Sequence, residues 1–394
     1  MSDVVERYLV LGLRLGRHVD GLVDAYYGPP QLKARVDTEP LAEPSALAGD
    51  AEVLLAESEG WLHDQLRGLR TYAGVLAGEG LSYADEVEGC YGIRPRRVPE
   101  ETFSAAHDRL DALIPGDGAL VDRYESWRAA RTVAPDRVLD ALAVVVAELR
   151  KRSRAFAGLP GGEEVELEAV RDQPWLAFNY YQGGFRSRVV VNLDRSIGAG
   201  ELVHVAAHET YPGHHAEHAW KERRLVEERG MFEESILLVP TPQSLVSEGI
   251  AEVGAELILD ADTQAALAGI LAYDPEEAAA VRDALEPLTR VGTNAALMLH
   301  EDGASVGEAR EYLERWALLT TARAEKAIAF LTDPTWRAYA TTYTEGRRLC
   351  RAYVAGDAAA FSRLLTEQVT VGELVAAADG SRLYRPAHER RDRA

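Results

Sequence analysis

The segment Gly200-Glu201-Leu202-Val203-His204-Val205-Ala206-Ala207-His208-Glu209-Thr210-Tyr211-Pro212-Gly213-His214-His215 packs three histidines and a carboxylate into its last eight residues. Leu202, Val203, Ala206 and Ala207 form an apolar face at helical spacing, and His204 and His208 are neighbours one turn apart. Pro212 then removes a backbone donor and clashes with the preceding turn, while Gly213 tolerates torsions that other residues avoid. The helix is expected to bulge or break at this pair. In an unbroken helix His214 is rotated by about 240° from His208, and His215 aligns but sits roughly 10 Å further along the axis. Neither then reaches a common ion. A bulge of two residues returns His214 to about the place of an i+4 neighbour of His208.

Zinc takes neutral imidazoles readily, and a hydrolytic site usually pairs two His with one carboxylate and leaves the fourth position to water. The regular spacing for such a site, His-Glu-x-x-His, is absent because position 212 is Pro. A carboxylate is available further on, in Ser247-Glu248-Gly249-Ile250-Ala251-Glu252, inside a helical run. Glu248 has the place of a third ligand from a later helix. Glu252, one turn on, is placed to orient a ligating imidazole. Glu209 is then the candidate general base on activated water. Taken singly, a His-Glu pair is ordinary surface or core decoration, and Glu248 is one glutamate among many. Together with a Pro-Gly interruption that costs stability, they favour a metal site. His204 paired with His208 is the competing ligand choice.

Around this segment the pattern is helical. Helices are expected over residues 4–23, 43–79, from Leu81-Ser82 to before Gly92, from Pro99 to Leu113, and over about 119–131 and 135–156. Tyr26-Tyr27-Gly28-Pro29-Pro30 stops the first of these, with the two tyrosines sealing a core. At Leu159-Pro160-Gly161-Gly162 the texture changes. Arg186-Ser187-Arg188-Val189-Val190-Val191-Asn192-Leu193 is β-branched and flanked by turn signals, the clearest strand in the chain. Two to four short strands are expected here, immediately before the histidine segment. Arg186 and Arg188 share a strand face and read as a solvated edge. Helices resume from Gly200 to the end, with His218 read as surface. The expected fold is mainly α and two-lobed, a helical lobe over 1–158 and a catalytic lobe over 159–394 with a small sheet beside the metal-site helix.

Composition sets the remaining bounds. Hydrophobic residues at 47% and charged residues at 27% describe a globular chain able to bury a large core. Lys and Arg number 43 against 64 Asp and Glu, a net charge of −21, which argues against nucleic acid or anionic lipid as partner. The arginines from Arg382 to Arg393 sit beside Glu389 and Asp392 and read as a solvated end. Only two cysteines, Cys90 and Cys350, are present, so no disulfide framework is expected and a reducing compartment, the cytoplasm, is the simplest setting. No apolar run approaches the roughly 20 residues of a membrane helix.

His208-Glu209-Thr210-Tyr211-Pro212-Gly213-His214 resembles the His-Glu-x-x-Pro-Gly-His signature of the bacterial domain-of-unknown-function 885 proteins, which are similar to helical zinc peptidases of the gluzincin type. Asp24-Ala25-Tyr26-Tyr27-Gly28-Pro29, Val191-Asn192-Leu193 and Glu248-Gly249 resemble other elements of that family. The family's Glu-Gly pair is commonly followed by Trp-Ala, where this chain has Ile250-Ala251. The resemblance implies one zinc ion held by His208, His214 and Glu248, with Glu209 as base and with Glu252 and His215 behind the ligands. It also implies a donor to the oxyanion from the C-terminal half. Tyr343, in Tyr343-Thr344-Glu345-Gly346-Arg347, is the first candidate, with Tyr339 and His300 as others. The expected activity is hydrolysis of an amide in a small peptide. The alternatives are hydrolysis of another acyl bond, or a binding protein whose metal is closed by a fourth ligand, His204 or His215.

Overall fold

The computed structural model describes residues 1–173 and 175–380, and the arginines from Arg382 onward lie outside the described residues. Helices dominate. α1 (Asp3–Leu15), α2 (Pro30–Thr38), α3 (Pro44–Ala56), α4 (Gly60–Leu76), α5 (Tyr83–Tyr91), α6 (Glu100–Leu113), α7 (Leu120–Ala130) and α8 (Val138–Phe156) come first, with a short strand β1 (Val23–Tyr26) among them. β2 (Glu164–Val170), β3 (Ala177–Gly183) and β4 (Arg186–Asn192) follow, then α9 (Ala199–Glu209), α10 (His214–Lys221), the short β5 (Ile236–Leu238) and α11 (Pro242–Ile258). The rest is helical: α12 (Ala261–Leu271), α13 (Pro275–Leu285), α14 (Val291–His300), α15 (Val306–Trp316), α16 (Thr321–Thr332), α17 (Ala340–Val354), α18 (Ala358–Thr366) and α19 (Val371–Ala378).

Local chemistry accounts for many of the boundaries. Ser2, Ser82 and Ser305 cap α1, α5 and α15 through their hydroxyls, and proline occupies the first turn of α2, α3, α11 and α13, where no donor is needed. The first helix stops at Leu15, short of the expected residue 23, because the chain turns out at Gly16 and enters β1. The single helix expected over 43–79 is two, α3 and α4. Glu57 to Glu59 leave the helix and Gly60 takes a φ of 59°, a conformation that glycine adopts without strain.

Two small sheets flank the histidine segment. In one, β2 pairs parallel and β3 antiparallel with β4, so the order is β2-β4-β3. Arg186 and Arg188 are therefore on the central strand, not an edge. Their guanidinium groups pair with Glu164 and Glu168 of β2 on the sheet's open face, while Ser187 and Val189 point into the protein. In the other, β1 pairs antiparallel with β5, setting Val23 opposite Leu238 and Tyr26 opposite Ile236. This ribbon joins residues more than 200 positions apart and was not expected, since each strand is only three or four residues long.

The core crosses the expected boundary at residue 158. One buried cluster runs from Tyr8 through Leu66, Phe103, Leu245, Ile250 and Leu349 to Leu374. A second gathers Leu142 and Leu149 of α8, Val191 of β4, Leu202 and Ala206 of α9 and Ala255 of α11. Cys90 and Cys350 are both free and buried. Among the described residues no helix is long and apolar enough to cross a membrane.

Candidate metal centre

The helix that begins at Ala199 ends at Glu209, and a new one begins at His214. Between them the ladder skips two residues. Gly213 N donates to Ala207 O at 3.1 Å and Ala216 N donates to Thr210 O at 3.2 Å, each reaching back six positions instead of four. The Tyr211–Pro212 bond is cis. A Cβ on Gly213 would overlap the His208 carbonyl oxygen, so only glycine fits. The pyrrolidine ring of Pro212 lies over Gly254 of α11, where a Cβ would stand 3.1 Å from Pro212 Cγ. The outcome is the pairing that an unbroken helix forbids: the His208 and His214 rings are 4.7 Å apart, edge to face.

α11 brings the third group. It is buried along most of its length, and Glu248 on it is 5% exposed. Glu248 Oε2 lies 3.5 Å from His208 Nε2, and Oε1 lies 3.7 Å from His214 Nε2. Ligand atoms about 2.1 Å from a tetrahedral zinc are about 3.4 Å from one another, so these separations fit one ion. Glu248 Oε2 is also buried with no hydrogen-bond partner among the described residues. A buried carboxylate oxygen left so is costly unless something else meets it. Its other oxygen accepts a 2.6 Å hydrogen bond from Tyr339.

The outer nitrogens of both rings are held. His208 Nδ1 faces Glu252 Oε1 at 3.2 Å, and His204 Nε2 faces the same oxygen at 3.4 Å. His214 Nδ1 is 3.2 Å from Ser247 Oγ, and Ser247 donates its own proton to Glu217 at 2.6 Å. Ser247 must therefore accept from His214 Nδ1–H, which leaves the Nε2 lone pair facing Glu248. Glu217 is buried and neutralised by Lys221 at 2.7 Å. Burial alone would raise the Glu217 pKa, but Lys221 and His214 outweigh it and keep it ionised. Burial likewise works against charge on His208, and Glu248 and Glu252 overcome it, holding its pKa well above the ordinary imidazole value. His204, His208 and Glu252 form a second close group. In that group the His204 and His208 nitrogens are already turned to Glu252, whereas the Glu248 oxygen is the one left open.

Around the triad the expected residues divide. Glu209 follows His208 directly, and its carboxyl pKa is raised by burial and by Glu248, against His208 and His214. Its backbone carbonyl is fixed by Asn179 of β3 at 2.7 Å. Tyr343 packs edge-on against Tyr339 at 5.4 Å, is 43% exposed, and donates no hydrogen bond among the described residues. Tyr339 is the phenol already committed to Glu248. His300 is not brought to the site: it stacks on Tyr83 at 5.0 Å and bonds the Leu331 carbonyl at 2.8 Å, at the far end of α14. His215 is adjacent to His214 in sequence but turns to the sheet, bonding Ser187 at 2.8 Å and facing Glu163 at 3.4 Å, so it does not back the ligands. His218, expected on the surface, is 5% exposed, and burial pushes its pKa down to about 3.

Asp24 on β1 had no role in the sequence reading. Removal from water raises its carboxyl to about 7; His214 opposes, and Glu248, Glu209 and Glu217 add to the shift. β1, which pairs with β5 and packs against β3, carries it there, a placement invisible at this strand length. Ser247, Glu217 and Lys221 were missed as well. The signal available for them was spacing, since Glu217 is three residues after His214 and Lys221 four after Glu217.

No protein-family model and no curated protein matches the chain. Solved structures similar to it include two. One, described as a "putative lipoprotein" from Colwellia psychrerythraea, has a TM-score of 0.55 and 14% identity, over 88% of this chain and 64% of that one. The other, described as a "putative lipoprotein of unknown function" from Shewanella oneidensis, has a TM-score of 0.54 and 12% identity, over 93% of this chain and 69% of that one. The chain thus spans just under two thirds of the first structure, and at these identities the likeness is one of fold alone.

Proposed function

We propose that this protein is a zinc-dependent hydrolase of small amides, with short peptides as its substrate class. The observation that carries the reading is the convergence in one buried site of His208 Nε2 and His214 Nε2 on the two Glu248 oxygens, at 3.5 and 3.7 Å, with Oε2 accepting no hydrogen bond among the described residues. His208, His214 and Glu248 would hold the ion. A zinc ion there polarises a carbonyl and lowers the pKa of water. Glu209 takes a proton from the attacking water and returns it to the leaving amine, a role suited to a carboxyl whose pKa burial has raised. Tyr343, with its hydroxyl uncommitted, donates to the oxygen that gains charge as the carbonyl is attacked. Tyr339 keeps Glu248 in place. The free, buried cysteines favour a reducing compartment, and on that ground we assign the protein to the cytoplasm.

Metal analysis of the purified protein and a peptide-library assay on wild type and Glu209→Gln test this. One equivalent of zinc is expected, with hydrolysis reduced by at least about 100-fold in the variant while zinc is retained. Absence of stoichiometric metal, or unchanged hydrolysis in Glu209→Gln, overturns it.

A further inference from the structure

A cavity of about 900 Å³ lies against the first half of α9. The metal-binding triad is not in its wall, but His204 is. His204 is one helical turn before His208, their ring centres are 6.4 Å apart, and both nitrogens turn to Glu252. Gly200, His204 and His208 form one stripe of α9. The stripe begins in the cavity and ends at the triad.

The cavity has the make-up of a ligand site. Its size is at the upper end of the roughly 300–1,000 Å³ of small-molecule pockets. Trp127 and Tyr273 supply flat apolar wall. Several arginines line it, and most are spent. Arg131 lies over the Trp127 ring at 4.6 Å and forks onto both oxygens of Glu277, at 2.9 and 2.6 Å. Arg128 and Arg323 both engage Glu125. The side chains of Arg137 and Arg282 make no hydrogen bond or ion pair among the described residues. Arg282 is half-buried and close enough to Tyr273 to act on its phenol, while Arg137 is exposed at the rim. Asp140 at the rim and Glu201, 3.7 Å from Arg128, are the opposing charges, and Asp274 is occupied capping α13. In a chain of net charge −21, a half-buried arginine whose side chain has no partner among the described residues is a local cationic spot in the cavity wall. Guanidinium groups bind carboxylates through two parallel hydrogen bonds.

We propose that this cavity receives the carboxylate-bearing end of the substrate, with Arg282 as the anion anchor, so that the protein acts on short peptides with a free C-terminus. The inference rests on the hydrolase reading for its substrate, and on the cavity alone for its anion site. The reaction adds water across the scissile C–N bond, the hydroxyl going to the acyl carbon and the proton to the leaving amine. The fragment that carries the C-terminal carboxylate leaves from the cavity side.

The test uses the full chain and two probes, acetyl-Ala-Phe as the free acid and as its amide. Calorimetric titration should give binding of the acid at least about tenfold tighter than the amide. That preference should vanish in Arg282→Ala, persist partly in Arg282→Lys, and weaken in Arg137→Ala, whose exposed position leaves folding intact. In the peptide assay the same ratio should appear in kcat/KM, and Arg282→Ala should lose it through KM. Equal binding of acid and amide, or a preference that survives in Arg282→Ala, overturns the proposal. Hydrolysis without a preference for the free acid defeats this proposal and leaves the hydrolase reading standing. Acid-selective binding with no hydrolysis of any peptide keeps the anion site and defeats the hydrolase reading.

Discussion

Two tyrosines one turn apart on neighbouring positions of the same site have different work, and the difference is measurable. Tyr339 spends its hydroxyl on Glu248 at 2.6 Å, whereas Tyr343 keeps its own free and 43% of its surface open. Tyr339→Phe removes a hydrogen bond to a charged group, a loss of about 1.5–3 kcal/mol in stability before metal is added, and it should weaken zinc affinity by about 10–100-fold. Competition with a chelator measures the second effect. Tyr343→Phe should leave both stability and zinc affinity near wild type and lower kcat by about 100-fold or more. A Tyr343→Phe variant with full kcat removes that phenol from the proposed chemistry.

At the scale of elements, the centre depends on two close backbone approaches. The first is the loop between α9 and α10, where Gly213 lies against the His208 carbonyl and Pro212 against Gly254. The second is the crossing of α11 and α17, where a Cβ on Gly249 would overlap the Gly346 carbonyl and meet Cys350 Sγ at 2.5 Å. Glu248 and Tyr339 face each other because these two helices can approach so closely. Gly249→Ala should cost about 1–3 kcal/mol by overpacking and, by pushing α17 away, reduce zinc affinity. Gly213→Ala should cost at least about 2 kcal/mol, since backbone is what stands in its way. Denaturant titration and zinc competition on each variant check both. The Pro-Gly interruption was legible in the sequence because it is local backbone chemistry, and so was the strand Arg186–Asn192 with its β-branched run. The pairing of Val23–Tyr26 with Ile236–Leu238 was not, and with it went the place of Asp24. His300, read as an oxyanion donor, and His215, read as backing the ligands, are placed elsewhere for the same reason: a histidine's type advertises site chemistry, but which face of its helix turns to which neighbour is decided by packing. His215 and His214 are adjacent in sequence, and one turns to Ser187 while the other turns to Glu248.

For the whole molecule, two buried carboxyls set opposite limits on pH. Glu163 ties α8 to the histidine segment through Arg150, Tyr211 and His215. Burial raises its pKa, but the hydrogen bonds from His215, Tyr211 and Arg150 outweigh it and bring it to about 2. Its contribution to stability is therefore present above its ordinary value of 4.5 and lost as pH falls toward 2. Glu234 is shifted the other way, to about 7, by burial against the opposing charge of Lys221. Its favourable contribution is present below 4.5 and lost as pH rises through 7. Thermal stability followed from pH 2 to 9 should show Glu163→Gln less stable than wild type at neutral pH, the gap closing in acid. Glu234→Gln should gain on wild type as pH rises from 4.5 to 7. Parallel curves for wild type and either variant contradict the assignment for that residue.

The two looped-out residues can also be put in the language of insertions. Removing Pro212 and Gly213 from His208-Glu209-Thr210-Tyr211-Pro212-Gly213-His214 leaves His-Glu-Thr-Tyr-His, the uninterrupted spacing of zinc hydrolase helices. Two residues thus separate this chain from the regular motif, and the hydrogen bonds that reach back six positions are the backbone form of that difference. Gly254 leaves room for the proline ring on one side and for Phe361 on the other, where a Cβ would stand 3.0 Å from the ring, so shortening the loop alone would leave a hollow on α11 that a larger residue at 254 fills only by displacing Phe361.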